Sequence, residues 1–365
     1  MDHLLNTRIA KYDVARLFAI LCVILCHSSD YIYGYNFNYI NNLSLGSKFF
    51  CFSAFTIGRL GVPIFLFLSG ALLLKKTIEE DTDIFNFYKK NLLPLVIANT
   101  IWIFIYNLFF YLTDQENLVS IEHIIKELLF LEKVPSLQMW YIPMIIGIYI
   151  GIPFVAKLIK SFSFKSFLPI LILIFTSNFI LPTINVFLKI YGSKEIYESL
   201  LSISFLGAQY GLYIILGYYI SVSKKTKINR FWICLVGLMS FIMMIGIQML
   251  SYSAVSKYNG FVWYDNVFLL ICTACIFVEI NSMREEKINP KLSKLAYYIG
   301  RMSFALFFMH PIILYFAKNG IIKFEIANPL KVILLFVCTT LISTVFVMIM
   351  SKIRVLSKYL LVIKK

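Results

Sequence analysis

Apolar windows of about twenty residues recur from one end of the chain to the other. A helix of that length crosses the hydrocarbon core of a bilayer, where only helices and closed barrels satisfy every backbone hydrogen bond. The sequence therefore predicts an all-α, polytopic transmembrane helical bundle of about ten spans. We place the spans near residues 12–29, 53–74, 92–112, 138–156, 167–188, 203–222, 231–251, 263–282, 301–318 and 330–351.

The composition excludes a soluble protein. Of the 365 residues, 60% are hydrophobic and only 15% are charged, and the mean hydropathy is +0.80. No soluble domain of this length covers its surface with so few charges. Because the spans follow one another without a long polar interval, we predict one integral membrane domain over 1–365 with no soluble domain. The first span lacks a small-residue cleavage site after it, so we expect a retained helix.

The basic residues predict the orientation. Apart from Arg16, Arg59 and Arg301, which lie within or at the ends of spans, 22 basic residues fall in segments on one side of the predicted membrane and 9 on the other. The positive-inside rule then places both termini in the cytoplasm. The same loops account for the net charge of +15, so no nucleic-acid partner is predicted. The basic segments are 8–11, 75–90, 157–165, 224–230, 284–294 and 352–365.

The first span carries Arg16 and His27 on one side of an otherwise apolar helix. Their spacing of eleven residues is close to three turns, which places them about 16 Å apart along the axis. In a structural interpretation, Arg16 reaches a lipid headgroup and His27 bonds a neighbouring helix. In a functional one, His27 is a general base that titrates near neutral pH, and Arg16 binds a phosphate-bearing donor while Asp13 holds its guanidinium.

Other spans add polar and aromatic candidates. Arg59 in the second span is predicted at a depth comparable to His27 and needs an anionic partner or water. The fourth span opens at the predicted outer surface with Gln138, followed by Trp140 and Tyr141, whose rings form an aromatic belt or stack on a sugar. His310 in the ninth span precedes a proline, and the backbone carbonyl that a proline frees would be a structural partner for it.

One loop is predicted to be an interfacial helix. Between residues 121 and 131 the apolar side chains follow helical spacing, and Glu122, Lys126 and Glu127 lie off that stripe. We expect this segment to lie flat on the outer interface with those charges on its wet face.

No motif indicates a metal or a nucleotide. Cys272 and Cys275 have the spacing of a metal or redox motif, but no second pair or histidine accompanies them. The chain lacks a Walker loop and a dinucleotide fingerprint, so an ATP-driven pump is not predicted.

Several short motifs, taken in their order and spacing, resemble the acyltransferase 3 family of bacterial membrane acyltransferases. The resemblance covers essentially the whole chain. The motifs are Asp13-x-x-Arg16 with His27-Ser28, Val62-Pro63-x-Phe65 with Ser69-Gly70, Trp140-Tyr141 with Gly147, Tyr149 and Pro153, and the stretch from Phe304 to His310.

This resemblance implies a ten-helix enzyme of the bacterial inner membrane that moves an acyl group, usually acetyl, from cytoplasmic acyl-coenzyme A to a cell-envelope carbohydrate. The expected reaction centre is His27 with Arg16. The donor-binding candidates are Asp13, Lys89, Lys90 and Ser69, and the acceptor-side candidates are Arg59, Trp140, Tyr141 and His310. Many members carry an arginine-rich stretch where this chain has Lys89-Lys90-Asn91, and Ser69 with Gly70 also fits a small-residue packing face.

Two other functions fit the same residues. In a polysaccharide or small-solute exporter, the histidines and arginines would form a proton or anion relay. Two halves of similar hydropathy with short broken spans would favour that function, and no such pairing is apparent. In an assembly subunit, a buried arginine and histidine would be needlessly costly.

Overall fold

The computed structural model describes residues 8–113, 119–193, 196–201, 205–223, 229–252 and 262–363. Across these residues it is helical and contains no β-strand, which confirms the predicted all-α class. The helices are α1 (Ala10–Tyr33), α2 (Phe37–Asn41), α3 (Leu45–Arg59), α4 (Gly61–Leu73), α5 (Asp81–Phe87), α6 (Leu93–Leu112), α7 (Ile121–Leu128), α8 (Tyr141–Ser161), α9 (Phe164–Phe175), α10 (Leu181–Ile190), α11 (Gln209–Val222), α12 (Arg230–Ser251), α13 (Val267–Ser282), α14 (Pro290–Ile321) and α15 (Asn328–Met350).

Each of the ten predicted windows contains helix. Within the described ranges, eight helical segments are long and apolar enough to cross a membrane. The other two windows hold α11, with 14 residues, and α13, with 16. The protein is therefore a polytopic membrane protein.

The positions of two prolines explain why two of the long helices contain a π-helical turn. A π-helical turn at Tyr88–Leu92 joins α5 to α6, and another at Thr176–Ile180 joins α9 to α10. Each turn is followed by a Leu-Pro pair, and proline offers no N–H to continue the ladder. The glycines and prolines of the fourth, fifth and ninth spans predict a kink or a break in each. The fifth span contains a π-helical turn, whereas the fourth and ninth run as helix through Pro153 and Pro311.

Helix α1 lies at the centre and packs against α3, α4, α13, α14 and α15. Three glycines allow close approaches. A Cβ at Gly58 on α3 would lie 2.6 Å from the Cα of Cys26, one at Gly61 on α4 would lie 2.6 Å from the carbonyl oxygen of Ala19, and one at Gly300 on α14 would lie 3.0 Å from the carbonyl oxygen of Asp13. The neighbouring helices therefore meet α1 closely at both ends and in its middle.

Segments predicted on the same side of the membrane contact one another. At one end, Arg8 Nη2 donates to the Ser293 carbonyl at 2.7 Å. At the other, the Tyr252 hydroxyl donates to the Tyr35 carbonyl at 3.1 Å. This grouping agrees with the alternation of the predicted topology. Some of the basic residues that were counted lie outside the described residues, namely Lys194, Lys224, Lys225, Lys227, Lys257, Lys364 and Lys365.

The predicted interfacial helix forms as α7, but one of its charges is not on a wet face. Ile121 and Ile125 are exposed, whereas Glu127 is only 3% exposed. Its carboxylate accepts a hydrogen bond of 2.7 Å from Asn107 Nδ2 on α6. The expectation for Glu127 was wrong because helical spacing cannot reveal an amide partner on another helix.

The orientation itself stays a prediction and can be measured by cysteine labelling. In a variant without the native cysteines, Lys48→Cys should react with a membrane-impermeant maleimide in intact cells, whereas Lys291→Cys should react only after permeabilisation. The physical reason is the retention of basic loops in the cytoplasm. Labelling of Lys291→Cys from outside would reverse the orientation and the side on which a donor enters.

Candidate active site

A cavity of about 350 Å³ opens between α1, α4, α6, α8 and α14. We call it the Arg16 cavity. It brings together three residues that the sequence nominated for donor binding or catalysis: Arg16, Ser69 and Lys90. Its further polar lining includes Asn91, Tyr141, Tyr149 and Ser303.

The Arg16 guanidinium is fixed from one side only. Its Nη1 donates to Asp13 Oδ1 at 2.6 Å, which confirms the predicted pairing of these two residues. The other carboxylate oxygen of Asp13 accepts from Arg8 Nε at 2.7 Å. Arg16 makes no other side-chain hydrogen bond to the part of the chain that is described. The remaining N–H donors of its planar fork are therefore available to a ligand in the cavity.

The mouth of the Arg16 cavity carries lysines. Lys90 is exposed and lines the cavity, whereas Lys89 is exposed and does not line it. The side-chain oxygen of Asn91 accepts a hydrogen bond of 3.2 Å from Lys76 Nζ, which holds that ammonium at the mouth. The sequence offered only a topological reason for Lys76, so its place beside the cavity could not be inferred from it. Asn91, although uncharged, thus positions a cation.

Two tyrosines line the inner part of this cavity. The Ser69 hydroxyl donates to the Phe65 carbonyl at 3.0 Å and so accepts from the Tyr149 hydroxyl at 3.3 Å. Tyr141, which the sequence placed on the acceptor side, lines the same cavity as Arg16. Its hydroxyl has no hydrogen-bond partner within the described ranges.

A second cavity, of about 150 Å³, contains His27. We call it the His27 cavity, and its polar lining also includes Tyr31, Tyr106, Ser136 and Gln138. The His27 ring makes no hydrogen bond to any described residue. Its nitrogens are therefore not committed to a structural partner, in contrast to the packing interpretation that the sequence left open.

The segment 129–140 is exposed at its start and buried at Gln138 and Met139, and it forms one wall of the His27 cavity. Gln138, only 4% exposed, donates to the Tyr106 hydroxyl at 2.7 Å, and that hydroxyl donates to the Phe308 carbonyl at 2.7 Å. Phe308 lies in the middle of the 32-residue helix α14. The expectation that Gln138 lies at the outer surface was therefore wrong. Irregular backbone at such depth is tolerated where protein buries it or where it lines a polar cavity.

His310 lies against His27. It is fully buried, and the two ring centroids are 5.4 Å apart. His310 Nδ1 donates to the Leu306 carbonyl at 2.9 Å. A carbonyl only accepts, so Nδ1 carries the proton and Nε2 of the neutral ring carries a lone pair. Nε2 has no hydrogen-bond partner in the described part of the chain.

A row of rings separates the two cavities. The Phe307 ring, which lines the Arg16 cavity, lies 5.4 Å from the Tyr141 ring and 6.1 Å from the His310 ring, centroid to centroid. His310 in turn contacts His27. Phe307 and His310 together are thus the partition between the cavity that holds the cation and the cavity that holds the imidazole.

Arg59 belongs to an aromatic cluster outside both cavities. Its guanidinium carbon lies 4.4 Å from the centre of the Trp263 ring, and its Nη1 donates to the Tyr264 hydroxyl at 3.2 Å. Asp30 on α1 also attracts it electrostatically. Trp140 joins the cluster, because its ring centroid lies 5.3 Å from that of Tyr264. These contacts supply the partners that a buried arginine requires.

Comparison with known proteins identifies the family to which the chain belongs. No protein of curated function and no solved structure matches the chain. Residues 9–348 match the sequence profile of the family described as "Acyltransferase domain", which is acyltransferase 3. The matched range covers essentially the whole chain and includes every residue that lines the His27 cavity and all but Val362 of those that line the Arg16 cavity. The chain therefore belongs to the acyltransferase 3 family and is a membrane acyltransferase.

Proposed function

We propose that the protein transfers an acyl group, acetyl in the first instance, from cytoplasmic acyl-coenzyme A to a hydroxyl group of a cell-envelope carbohydrate in the bacterial inner membrane. One observation carries the proposal. A single helix, α1, presents a cation to one cavity and an imidazole to another, and the rings of Phe307 and His310 connect the linings of the two.

The Arg16 cavity suits the donor. Its volume of about 350 Å³ is at the lower end of the range for ligand pockets, roughly 300–1,000 Å³. It would admit the thioester end and the flexible arm of acyl-coenzyme A, while the phosphates stay near the mouth. Lys76 and Lys90 supply positive charge there, and the free side of the Arg16 fork supplies donors that suit phosphate or carbonyl oxygens.

The His27 cavity suits the acceptor hydroxyl. In the proposed step, His27 removes the hydroxyl proton and the oxygen attacks the thioester carbonyl. The carbon–sulfur bond then breaks, and coenzyme A leaves as a thiol after taking the proton from the His27 imidazolium. The neutral His310 ring lies beside His27, and its Nε2 lone pair can accept a hydrogen bond from an N–H of protonated His27. The products are an acyl ester and free coenzyme A.

An exporter would use the same residues differently. It needs a continuous path wide enough for the whole solute, whereas in the proposed reaction only the acyl group has to pass the rings of Phe307 and His310. It also predicts no chemical change in coenzyme A, so release of the thiol discriminates the two functions.

The first test measures thiol release by the purified protein with acetyl-coenzyme A and size-fractionated envelope oligosaccharides as acceptors. Free coenzyme A should appear only when oligosaccharide is present. His27→Ala should lower the rate at least about 100-fold, the usual contribution of a general base, with little change in melting temperature because the ring makes no hydrogen bond to the described residues.

The matched control is His123→Ala, which removes an exposed histidine of α7 and should leave the rate unchanged. Passage of unmodified oligosaccharide across vesicles without thiol release would contradict the proposal. A fully active His27→Ala protein would remove His27 from the mechanism.

The second test concerns the donor. Arg16→Lys should raise the KM for acetyl-coenzyme A about tenfold, because an ammonium keeps the charge but loses charge-assisted hydrogen bonds of the planar fork. The KM for oligosaccharide should change much less. Arg284→Lys, at an exposed arginine, is the control. Equal changes in both KM values, or none, would show that Arg16 does not bind the donor.

A further inference from the structure

A third cavity, of about 290 Å³, lies between α6, α7, the segment 129–140 and the start of α8. We call it the Glu127 cavity. Its lining includes Asn99, Glu127, Lys133 and Trp140. The mechanism above uses none of these residues.

Asn99 points to a ligand in this cavity. It is only 3% exposed and lines the cavity, yet its side chain has no hydrogen-bond partner in the described part of the chain. The amide therefore offers N–H donors and an oxygen acceptor to a ligand in the cavity.

Glu127 is the second polar group that faces the cavity. Asn107 bonds one of its carboxylate oxygens at 2.7 Å, and an ionised carboxylate has further acceptor sites on both oxygens. Burial raises the pKa of the Glu127 carboxyl, although the hydrogen bond from Asn107 acts in the opposite direction. Hydrogen-bond donors from a ligand would replace the water that the Glu127 carboxylate loses on burial.

Trp140 also lines the cavity, and its ring packs against that of Tyr264. A carboxylate that accepts, an amide that does both and an apolar lining match a ring that carries hydroxyls at its edge and C–H groups on its faces. Such a combination of an apolar lining and a few placed polar groups is typical of small-molecule sites. Two carboxylates, Glu127 and Glu132, line the cavity against one lysine, Lys133, so the balance of charge disfavours an anionic lipid headgroup.

The Glu127 cavity adjoins the His27 cavity. The segment 129–140 lines both, since Ser136 and Gln138 face the His27 cavity whereas Val134 and Trp140 face the Glu127 cavity. A chain of sugars bound across this segment would present one ring to each cavity.

We propose that the Glu127 cavity is a carbohydrate-binding subsite that holds a sugar next to the one that is acylated. This inference rests on the proposed function, because it requires an oligosaccharide acceptor. The protein should therefore bind a longer oligosaccharide acceptor more tightly than a monosaccharide, and the additional affinity should depend on Asn99, Glu127 and Trp140.

The test uses Asn99→Leu and Glu127→Gln in the thiol-release assay with size-fractionated envelope oligosaccharides. Both changes should raise the KM for oligosaccharide about tenfold, a typical effect of lost hydrogen bonds to charged or buried groups. The KM for acetyl-coenzyme A and for the matching monosaccharide should not change. Asn99→Leu should leave the melting temperature of the protein without acceptor nearly unchanged, because the side chains are similar in volume and no hydrogen bond to the described residues is lost.

Glu122→Gln, at an exposed glutamate of the same helix, is the control. An unchanged KM for oligosaccharide in both variants would overturn the subsite. So would a defect that depends only on the amount of phosphatidylethanolamine in the bilayer, which would indicate a lipid headgroup. Absence of thiol release by the unaltered protein is a different result, since it contradicts the proposed function itself.

Discussion

The ion pair between Arg16 and Asp13 is the interaction on which the candidate active site depends. A guanidinium on a membrane-spanning helix needs a counter-charge, and Asp13 supplies it from the same face of α1. Asp13 also binds Arg8, whose guanidinium bonds Ser293 ahead of the ninth span. Through Arg8, this network ties the start of α1 to the start of α14, and His27 lies three turns further along the same helix.

Helix α1 joins two environments that differ in chemistry. At one end, Lys76 and Lys90 make the mouth of the Arg16 cavity positive, which suits a phosphate-bearing donor. At the other end, His27 faces a cavity lined by neutral hydroxyl and amide groups. The rings of Phe307 and His310 lie between the two cavities, and in the proposed reaction they would restrict the access of water to the thioester. Exclusion of water favours transfer over hydrolysis.

Features that depend on one helix were predictable from the sequence. Hydropathy located all ten helical windows, and the spacing of three residues predicted the contact of Asp13 with Arg16. Contacts between helices were not predictable. The pairs His27 with His310 and Asn91 with Lys76 join residues that are far apart or separated by a loop, and nothing in local periodicity relates them.

The same limit explains the two errors. Glu127 has the helical phase of a wet face, but Asn107 on α6 offers it a buried partner. Gln138 sits at the edge of an apolar window, where a surface position is the simplest expectation. Its hydrogen bond to Tyr106 instead holds its side chain in the interior. In both cases a single polar contact outweighs a pattern of hydrophobicity, because a buried polar group must be paired.

In the proposed reaction, donor and acceptor reach one reaction centre from opposite sides of the membrane. Vesicles that contain the purified protein, with acetyl-coenzyme A enclosed and oligosaccharide outside, test it most directly. For protein molecules whose 284–294 segment faces the vesicle interior, we expect acetylated oligosaccharide outside the vesicles and free coenzyme A inside them. Neither substrate should cross the membrane. Product that forms only when both substrates are on the same side would contradict it.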